Sequence, residues 1–188
     1  MRAVHAAVVA ARPKQWTKNL FVFAGMVFTD NWRLFPTVLL AFAAYCLMSS
    51  GVYLLNDARD WRQDALHPEK RNRPIPRGDL APATAVFVGV MLCLLGLATS
   101  VPLGWPSAMV AAGFLILQAA YSLWLKYVVL LDVFTIAAAF VMRVVAGAVA
   151  INVPTSVWLL VCTLQLALFL GFGKRRNELV QMAERAGE

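Results

Sequence analysis

Long apolar runs separated by short polar segments are the dominant pattern of this chain. Residues 34–55 carry no charge, and neither do residues 80–125, which Pro and Gly residues interrupt at 102–106. An α-helix needs about 20 consecutive apolar residues to cross the hydrocarbon core of a bilayer. The first stretch therefore predicts one transmembrane helix, and the second predicts two that are joined at the Pro- and Gly-rich break.

The same criterion, applied to the whole chain, predicts six transmembrane helices. Their expected bounds are 16–31, 34–55, 82–101, 107–125, 128–150 and 155–172. The first contains the shortest apolar run, so we expect it to be tilted or partly interfacial. No internal repeat or linker divides the sequence. We therefore predict an all-α fold, a polytopic transmembrane helical bundle that forms one domain over residues 1–188.

Composition and charge agree with a membrane location. The chain is 61% hydrophobic and only 14% charged, with a formal net charge of +7, whereas a soluble domain is typically about a quarter charged. Lys and Arg are concentrated in alternate loops, which places both termini and the long loop after the second helix in the cytoplasm. The basic balance therefore indicates a lipid bilayer as partner and no nucleic acid. The three cysteines are far apart, so we expect neither a disulfide nor a cysteine metal site.

Three aspartates follow the second predicted helix at helical spacing. If that helix continues past the membrane surface, a rotation of 100° per residue puts Asp57, Asp60 and Asp64 on one stripe, with Asn56 beside them. Like charges at this spacing repel each other unless something neutralises them. Carboxylate oxygens are preferred ligands of Mg²⁺, which commonly bridges to substrate phosphates. The stripe predicts a site for Mg²⁺ and a diphosphate; the alternative is a solvated acidic face.

A cationic loop comes directly after this stripe. It contains Lys70, Arg71, Arg73 and Arg77 among several prolines. Arginine presents a fork of donors that matches phosphate oxygens, and lysine supplies a compact positive charge. We predict that this loop binds phosphate groups; the alternative is a basic cluster that only sets the membrane topology.

Two charged residues lie in the predicted helix 128–150. Asp132 is near one end, and Arg143 is near the middle on the same face. Intramembrane charges are costly and usually mark a polar cavity. Tyr121 and Lys126 lie at the cytoplasmic end of the preceding helix, near Asp132. An ion pair between Lys126 and Asp132 that pins the two helices together is the alternative.

The order of these motifs resembles the UbiA superfamily of intramembrane prenyltransferases. The residues that carry the resemblance span nearly the whole chain: Arg12, Pro13, Lys14, Gln15, Trp16, Lys18 and Asn19; Asn56, Asp57, Asp60 and Asp64; His67, Pro68, Lys70, Arg71, Arg73, Pro74 and Ile75; Tyr121, Leu125, Lys126, Asp132 and Arg143; and Gly173, Lys174, Arg175 and Glu178. As a set, they look like the branch of the family that transfers phosphoribosyl groups to decaprenyl phosphate.

This resemblance implies a reaction and a location. The phosphate of a polyprenyl phosphate would attack C1 of 5-phosphoribosyl diphosphate, and diphosphate would leave, in a step toward arabinan cell-wall precursors. It implies that Asp57, Asp60 and Asp64 hold Mg²⁺ and that other side chains bind the substrates, namely Asn56, Lys18, Lys70, Arg71, Arg73, Tyr121, Lys126, Asp132, Arg143, Lys174 and Arg175. The site would face the cytoplasm at a bacterial inner membrane, and homo-oligomerisation stays open.

Two departures from the family pattern keep alternatives open. Family members usually have about nine transmembrane helices, so we expect this chain to cover the N-terminal two thirds of the family domain. An inactive or partner-dependent fragment is therefore one alternative. The second aspartate-rich motif of aromatic prenyltransferases is absent, and Lys174, Arg175 and Glu178 stand in its place. This disfavours the other alternative, transfer of a prenyl group from a prenyl diphosphate to an aromatic acceptor.

Overall fold

Seven α-helices and several 3₁₀ helices make up the computed structural model, which describes residues 2–186. The side chains of residues 2, 3, 129, 174, 178, 179 and 181–186 lie outside the described set. The α-helices are α1 (Arg2–Ala10), α2 (Ala24–Phe28), α3 (Phe35–Leu66), α4 (Pro82–Ser100), α5 (Trp105–Leu123), α6 (Val129–Ala150) and α7 (Val157–Ala186). No strand occurs within residues 2–186, which confirms the all-α prediction.

Five of these helices, α3 to α7, are long and apolar enough to cross a membrane. They correspond to the five predicted spans after the first, and the predicted break at 102–106 separates α4 from α5. Gly104 in that break has φ +100°, a backbone conformation that side chains disfavour. Helix α3 is continuous to Leu66 and about 48 Å long. It is therefore longer than a hydrocarbon core of about 30 Å, as the aspartate prediction requires.

The first predicted span, residues 16–31, differs from a regular transmembrane helix. Pro13–Phe23 form a 3₁₀ helix that continues into the short α2. Together the two are about 30 Å long, but they are not among the five long apolar helices. The 3₁₀ helix packs closely on α6, because a Cβ at Gly147 of α6 would lie only 1.7 Å from the carbonyl oxygen of Val22. Such close packing favours a 3₁₀ helix, which is thinner than an α-helix. A sixth crossing therefore stays a prediction.

Helices α3 and α6 lie at the centre of the bundle. In an apolar 18-residue stretch of each helix, the buried share is 61% for α3 and 56% for α6, against 17%, 22% and 12% for α4, α5 and α7. The main core cluster includes Val38, Tyr45 and Met48 of α3, Phe114 of α5, and Ala139 and Ala146 of α6. Polar side chains on α3 and α6 are therefore the ones that protein, and not lipid, surrounds.

Helix α1 is an element that the hydrophobic pattern does not predict. It packs in a second cluster with residues of α3, of the loop 67–81 and of α4: Ala6, Ala10, Leu54, Ala58, Ile75, Leu80 and Ala85. Through these contacts the loop 67–81 folds back against the end of α3. Both α1 and this loop therefore border the part of α3 that carries the aspartates.

Candidate active site

The three predicted aspartates lie on the last turns of α3. Asp57 and Asp64 are buried, whereas Asp60 and Asn56 are partly exposed. Their surroundings also differ. Asp57 and Asp64 contact the N-terminal segment and the loop 67–81, while Asn56 and Asp60 contact the end of α5 and the turn after it. The aspartate stripe, defined as Asn56 with the three aspartates, thus has two halves.

Basic side chains neutralise the first half. Arg73 Nη1 donates to Asp64 Oδ2 at 2.6 Å and to Asp57 Oδ1 at 3.1 Å, so one nitrogen bridges both carboxylates. Arg12 Nη2 donates to the two oxygens of Asp57 at 2.5 and 2.7 Å. Lys70 Nζ lies 3.8 Å from Asp64 Oδ1. The helical spacing of the aspartates implies that they repel one another, and these cations offset that repulsion.

Arg12 is fixed by its backbone as well as by its side chain. It adopts a left-handed conformation with φ 53° and ψ 60°, which costs a non-glycine residue about 1 kcal/mol. Its guanidinium carbon lies 4.9 Å from the centroid of the Tyr53 ring. The contacts with Asp57 and Tyr53 hold this guanidinium at the wall of a cavity.

Residues of α5 and of the following 3₁₀ turn contact the second half. Lys126 Nζ donates to Asp60 Oδ2 at 2.5 Å, and the Ser122 hydroxyl donates to Asn56 Oδ1. Arg59 Nη1 donates to the carbonyl oxygen of Ser122 at 2.6 Å. These three contacts join the end of α3 to the end of α5.

Asp132 pairs with α7 instead of with Lys126. Its Oδ2 lies 2.9 Å from Nη2 of Arg175, so the helix-pinning pair that the sequence left open is not formed. Its Oδ1 is buried and has no hydrogen-bond donor among the described residues. Tyr121, Lys126, Asp132 and Arg175 line a cavity of about 220 Å³.

A larger polar cavity adjoins the aspartate stripe. Its volume is about 390 Å³, and its lining includes Arg12, Gln15, Lys18, Tyr53, Asn56, Gln118, Tyr121, Ile136, Phe140 and Arg143. Tyr121 and Ile136 line both cavities, so the two are neighbours. The described lining contains three cationic side chains and no carboxylate. This arrangement favours an anionic ligand.

Arg143 reaches this cavity from the middle of α6. The residue is 5% exposed. Its Nε donates to Asn19 Oδ1 at 2.7 Å, its Nη1 to the Ala139 carbonyl at 2.7 Å, and its Nη2 to Ser49 Oγ at 3.4 Å. The charged residue that the sequence places mid-span is therefore buried within the bundle and not exposed to lipid.

Most of the predicted substrate-binding residues meet in this region. The stripe and its two cavities bring together Lys18, Asn56, Lys70, Arg73, Tyr121, Lys126, Asp132, Arg143 and Arg175. Arg71 is exposed on the short 3₁₀ turn Lys70–Asn72. The side chain of Lys174 lies outside the described residues. The binding roles of these residues stay predictions.

The donor chemistry of the stripe fits Mg²⁺. Carboxylate and amide oxygens are the hard ligands that this ion prefers, and Arg73 already places one positive group between Asp57 and Asp64. Within the part of the chain that the structure describes, however, no three His, Cys, Asp or Glu side chains are arranged to hold a metal ion. Metal binding would therefore require the basic side chains to leave the carboxylates and substrate oxygens to complete the shell.

The polar residues that hydrogen-bond to Arg143 and Asn56 cannot be predicted from the sequence. Asn19 and Ser49 contact Arg143, and Ser122 contacts Asn56. The available signal is a polar residue inside an apolar run, as at Ser49, but it identifies no partner. These contacts join residues that are 124, 94 and 66 positions apart, so local spacing cannot reveal them.

Comparison with known proteins decides the family. Residues 19–181 match the UbiA prenyltransferase family. The chain belongs to this family. The resemblance found in the motifs is thereby confirmed, and family membership together with five membrane-length helices makes the chain an integral membrane protein.

Curated UbiA relatives carry the name of a specific transferase. The chain is 37% identical to decaprenyl-phosphate phosphoribosyltransferase of Mycolicibacterium smegmatis over 187 residues, which cover 96% of this chain and 58% of that protein. It is also 37% identical to the enzyme of the same name from Mycobacterium tuberculosis, over 96% of this chain and 62% of that protein. The chain thus spans about three fifths of the length of these relatives.

A solved structure shows the same UbiA fold. A UbiA homologue from Archaeoglobus fulgidus, solved with DMAPP and Mg²⁺ bound, matches this chain with a TM-score of 0.74. The match covers 86% of this chain and 60% of that one, at 18% sequence identity. At this identity the likeness establishes the fold alone.

Proposed function

We propose that this chain forms the catalytic site of a Mg²⁺-dependent phosphoribosyltransferase in the bacterial inner membrane. The donor is 5-phosphoribosyl diphosphate, and the acceptor is a polyprenyl phosphate such as decaprenyl phosphate. An oxygen of the lipid phosphate forms a bond to C1 of the ribose, and the bond from C1 to the diphosphate oxygen breaks. The electron pair of that bond leaves with diphosphate. The lipid product would supply arabinan cell-wall precursors.

The observation that carries this proposal is the excess of positive charge around the aspartate stripe. Seven cationic side chains border the stripe and its two cavities, against four carboxylates: Arg12, Lys18, Lys70, Arg73, Lys126, Arg143 and Arg175, against Asp57, Asp60, Asp64 and Asp132. Both substrates carry phosphate groups, which such an excess attracts. The name shared by two curated relatives at 37% identity supports the same reaction.

The stripe supplies the oxygen ligands for the metal. Asp57, Asp60 and Asp64, with Asn56 assisting, would hold Mg²⁺, which neutralises charge on the leaving diphosphate when it is bound. Arg73 now lies on two of these carboxylates, and its side chain is 31% exposed. It therefore has room to turn from the carboxylates toward phosphate oxygens.

The basic side chains bind and orient the donor. Arg73, Lys70 and Lys126 surround the place of the diphosphate, where positioned cations stabilise the charge that develops on the leaving group. Tyr121 and Asp132 border the cavity in which the ribose would lie. Lys18 and Arg175 line the cavity walls, and Arg71 and Lys174 would add positive charge at the rim.

The acceptor reaches the site from the bilayer. Helices α4, α5 and α7 expose most of their apolar surface, which suits the isoprenoid chain of the acceptor. The loop 67–81 and the N-terminal segment carry the basic residues that the positive-inside rule assigns to the cytoplasm. The proposed site therefore opens toward the compartment that contains the sugar diphosphate.

Label transfer tests the proposal. Membranes that contain this chain are incubated with decaprenyl phosphate and with 5-phosphoribosyl diphosphate labelled in the ribose, in the presence of Mg²⁺ or EDTA. We expect Mg²⁺-dependent labelling of the lipid that is lost in Asp60→Asn. Asp79→Asn is the control and should keep the activity, because Asp79 pairs with the exposed Arg77. No labelling of the lipid by the folded parent chain would contradict the proposal.

Two further arms separate the alternatives. Transfer from farnesyl diphosphate to 4-hydroxybenzoate, without phosphoribosyl transfer, would assign the chain to the aromatic prenyltransferases. Labelling that appears only when the C-terminal helices of a relative are co-expressed would identify a partner-dependent fragment.

A further inference from the structure

Arg143 is a buried cation whose partners in the protein are neutral. Its hydrogen bonds reach the amide oxygen of Asn19, the hydroxyl of Ser49 and one backbone carbonyl. The rings of Phe114 and Phe140 lie 4.8 and 5.7 Å from its guanidinium carbon. Among the described residues, the ion pairs of the site are made by Arg12, Lys70, Arg73, Lys126 and Arg175, and none involves Arg143.

This arrangement is costly for the protein alone. Removing a charged group from water costs several kcal/mol even after relaxation. Neutral hydrogen bonds and aromatic faces recover only part of that cost. Asp57 and Asp64, which are similarly buried, each have a basic partner instead. An anionic ligand at Arg143 would supply the charge that the protein does not.

The cavity beside Arg143 combines positive charge with apolar surface. Ile136, Ala139 and Phe140 precede Arg143 at helical spacing on α6, and all four line the cavity of about 390 Å³. Asn56 of the aspartate stripe lines the same cavity. A ligand with a phosphate at Arg143 and an apolar chain therefore finds matching surfaces, and its phosphate lies in the cavity that borders the donor site.

Arg143 lies deeper in the bundle than the basic residue that contacts Asp60 of the stripe. Helix α6 begins at Val129, so a rise of 1.5 Å per residue places Arg143 about 20 Å along the helix. Asp132 lies in the first turn of this helix, and Lys126, in the 3₁₀ turn before it, pairs with Asp60 of the stripe. A water-soluble sugar diphosphate would have to leave water to reach this depth. A lipid phosphate is already anchored in the bilayer, and only its headgroup has to enter the bundle.

We propose that the counter-ion of Arg143 is the phosphate monoester of an isoprenoid lipid acceptor, and that the donor diphosphate binds separately at the aspartate stripe. The identity of the two substrates rests on the proposed function. The anion site itself does not depend on catalysis, so it can be tested by binding.

Asn19→Asp neutralises Arg143 without removing it. Asn19 Oδ1 accepts from Arg143 Nε at 2.7 Å, and Asn19 is fully buried, so aspartate adds the missing negative charge with the same shape. The full chain in detergent is titrated with farnesyl phosphate, farnesol or inorganic phosphate, and thermal unfolding is followed. For the parent chain, farnesyl phosphate should raise the Tm by at least about 3 °C more than farnesol does. Inorganic phosphate at the same concentration should have no effect.

The variants should change acceptor binding selectively. Asn19→Asp should weaken farnesyl phosphate binding at least about tenfold, because the new carboxylate competes for Arg143. Arg143→Met, which removes the charge and adds none, should show the same loss. Asn152→Asp makes the matched substitution at an exposed turn after α6 and should bind like the parent chain. Affinity for 5-phosphoribosyl diphosphate should change less than about threefold in all three variants.

Several outcomes would overturn the assignment. Equal stabilisation of the parent chain by farnesol and farnesyl phosphate would show that no anion site is used, whether or not the variants fold. An equal rise in Tm with inorganic phosphate would show that the site does not require a lipid phosphate. Unchanged farnesyl phosphate affinity in Asn19→Asp and Arg143→Met would exclude Arg143 as the acceptor site. So would a loss of affinity in these two variants for 5-phosphoribosyl diphosphate alone. Selective farnesyl phosphate binding without any phosphoribosyl transfer would support this site and remove only the proposed function.

Discussion

The aspartate stripe of α3 and the buried Arg143 of α6 place charge inside the bundle in two different ways. In the stripe, the buried Asp57 and Asp64 each lie within 2.6 Å of an arginine nitrogen. Arg143 is equally buried but has only neutral hydrogen-bond partners in the described chain. The stripe must exchange partners to bind a metal ion, whereas Arg143 gains a partner by binding an anion.

Exposure of the partners explains this difference. The side chains of Arg12 and Arg73, which pair with the stripe, are 28% and 31% exposed, so they remain partly hydrated and can leave the carboxylates. Arg143 is only 5% exposed and has no hydrated alternative. The comparison indicates that the stripe is suited to reversible exchange and Arg143 to holding one ligand group in place.

Asp64→Asn should have the largest effect, and it acts on the stripe. The substitution removes a proposed metal ligand and weakens the contact with Arg73, so the rate of phosphoribosyl transfer should fall at least about a thousandfold. The initial rate of lipid labelling at saturating Mg²⁺ measures this. The control Asp79→Asn should keep the parent rate. A rate in Asp64→Asn within about tenfold of the parent rate would show that the stripe is not used.

Gly147→Ala should disrupt the packing around Arg143 through a steric clash. Its Cβ would lie 1.7 Å from the Val22 carbonyl oxygen, so the 3₁₀ helix that carries Asn19 must move away from α6. We expect a destabilisation of at least about 3 kcal/mol, measured as a lower Tm and a smaller folded fraction in detergent.

Gly113→Ala is the control for this steric effect. The nearest atom to its new Cβ is the flexible terminal methyl of Met142 at 3.3 Å, so its stability should change by less than about 1 kcal/mol. Parent-like stability of Gly147→Ala would contradict the close packing of the 3₁₀ helix on α6.

Arg73→Met should destabilise the ligand-free chain, whereas Arg143→Met should not. Removing Arg73 leaves two buried carboxylates with fewer partners and should lower the free energy of unfolding by about 2–3 kcal/mol. Removing Arg143 eliminates an uncompensated charge and should leave that free energy unchanged or raise it. Reversible unfolding in mixed micelles measures both. A larger loss of unfolding free energy in Arg143→Met than in Arg73→Met would contradict the difference drawn between the two regions.

Lys126→Met should have the smallest effect on stability. Asp60 is 24% exposed and keeps water contacts when its partner is removed, whereas the carboxylates that Arg73 contacts are 5% and 7% exposed. The loss should therefore be about 1 kcal/mol. The same unfolding experiment measures it, with Arg77→Met as the control for a pair that is more exposed still. A loss as large as that of Arg73→Met would mean that the second half of the stripe is as tightly paired as the first.

The fold follows from the sequence wherever the cause is local. Apolar runs and the Pro- and Gly-containing breaks predict α3 to α7, and the structure meets the condition of the aspartate prediction, because α3 continues past Leu55 to Leu66. The 3₁₀ helix Pro13–Phe23 has no such signal, because its form depends on contact with Gly147 far along the chain. Helix α1 is also set by packing, against α3 and the loop 67–81.

The candidate site divides in the same way. Helical spacing puts the aspartates on the last turns of α3, and Arg73 brings Asp57 and Asp64 together, but Asp60 pairs with Lys126 instead. Arg143 is recognisable from the sequence as a charge within an apolar span. Their partners could not be predicted. Asp57 and Arg12 are 45 positions apart, and Arg143 and Asn19 are 124 apart. Only the folded bundle shows which of these charges is neutralised by protein.

Following oxygen atoms through the reaction tests the proposed function most directly. Decaprenyl phosphate with oxygen-18 in its phosphate is incubated with the chain, Mg²⁺ and 5-phosphoribosyl diphosphate, and both products are analysed by mass spectrometry. Because the lipid phosphate attacks C1, we expect a lipid product that is heavier by one phosphoribosyl group and retains all the oxygen-18, together with unlabelled diphosphate. Oxygen-18 in the released diphosphate, or no phosphoribosyl group on the lipid, would contradict this account.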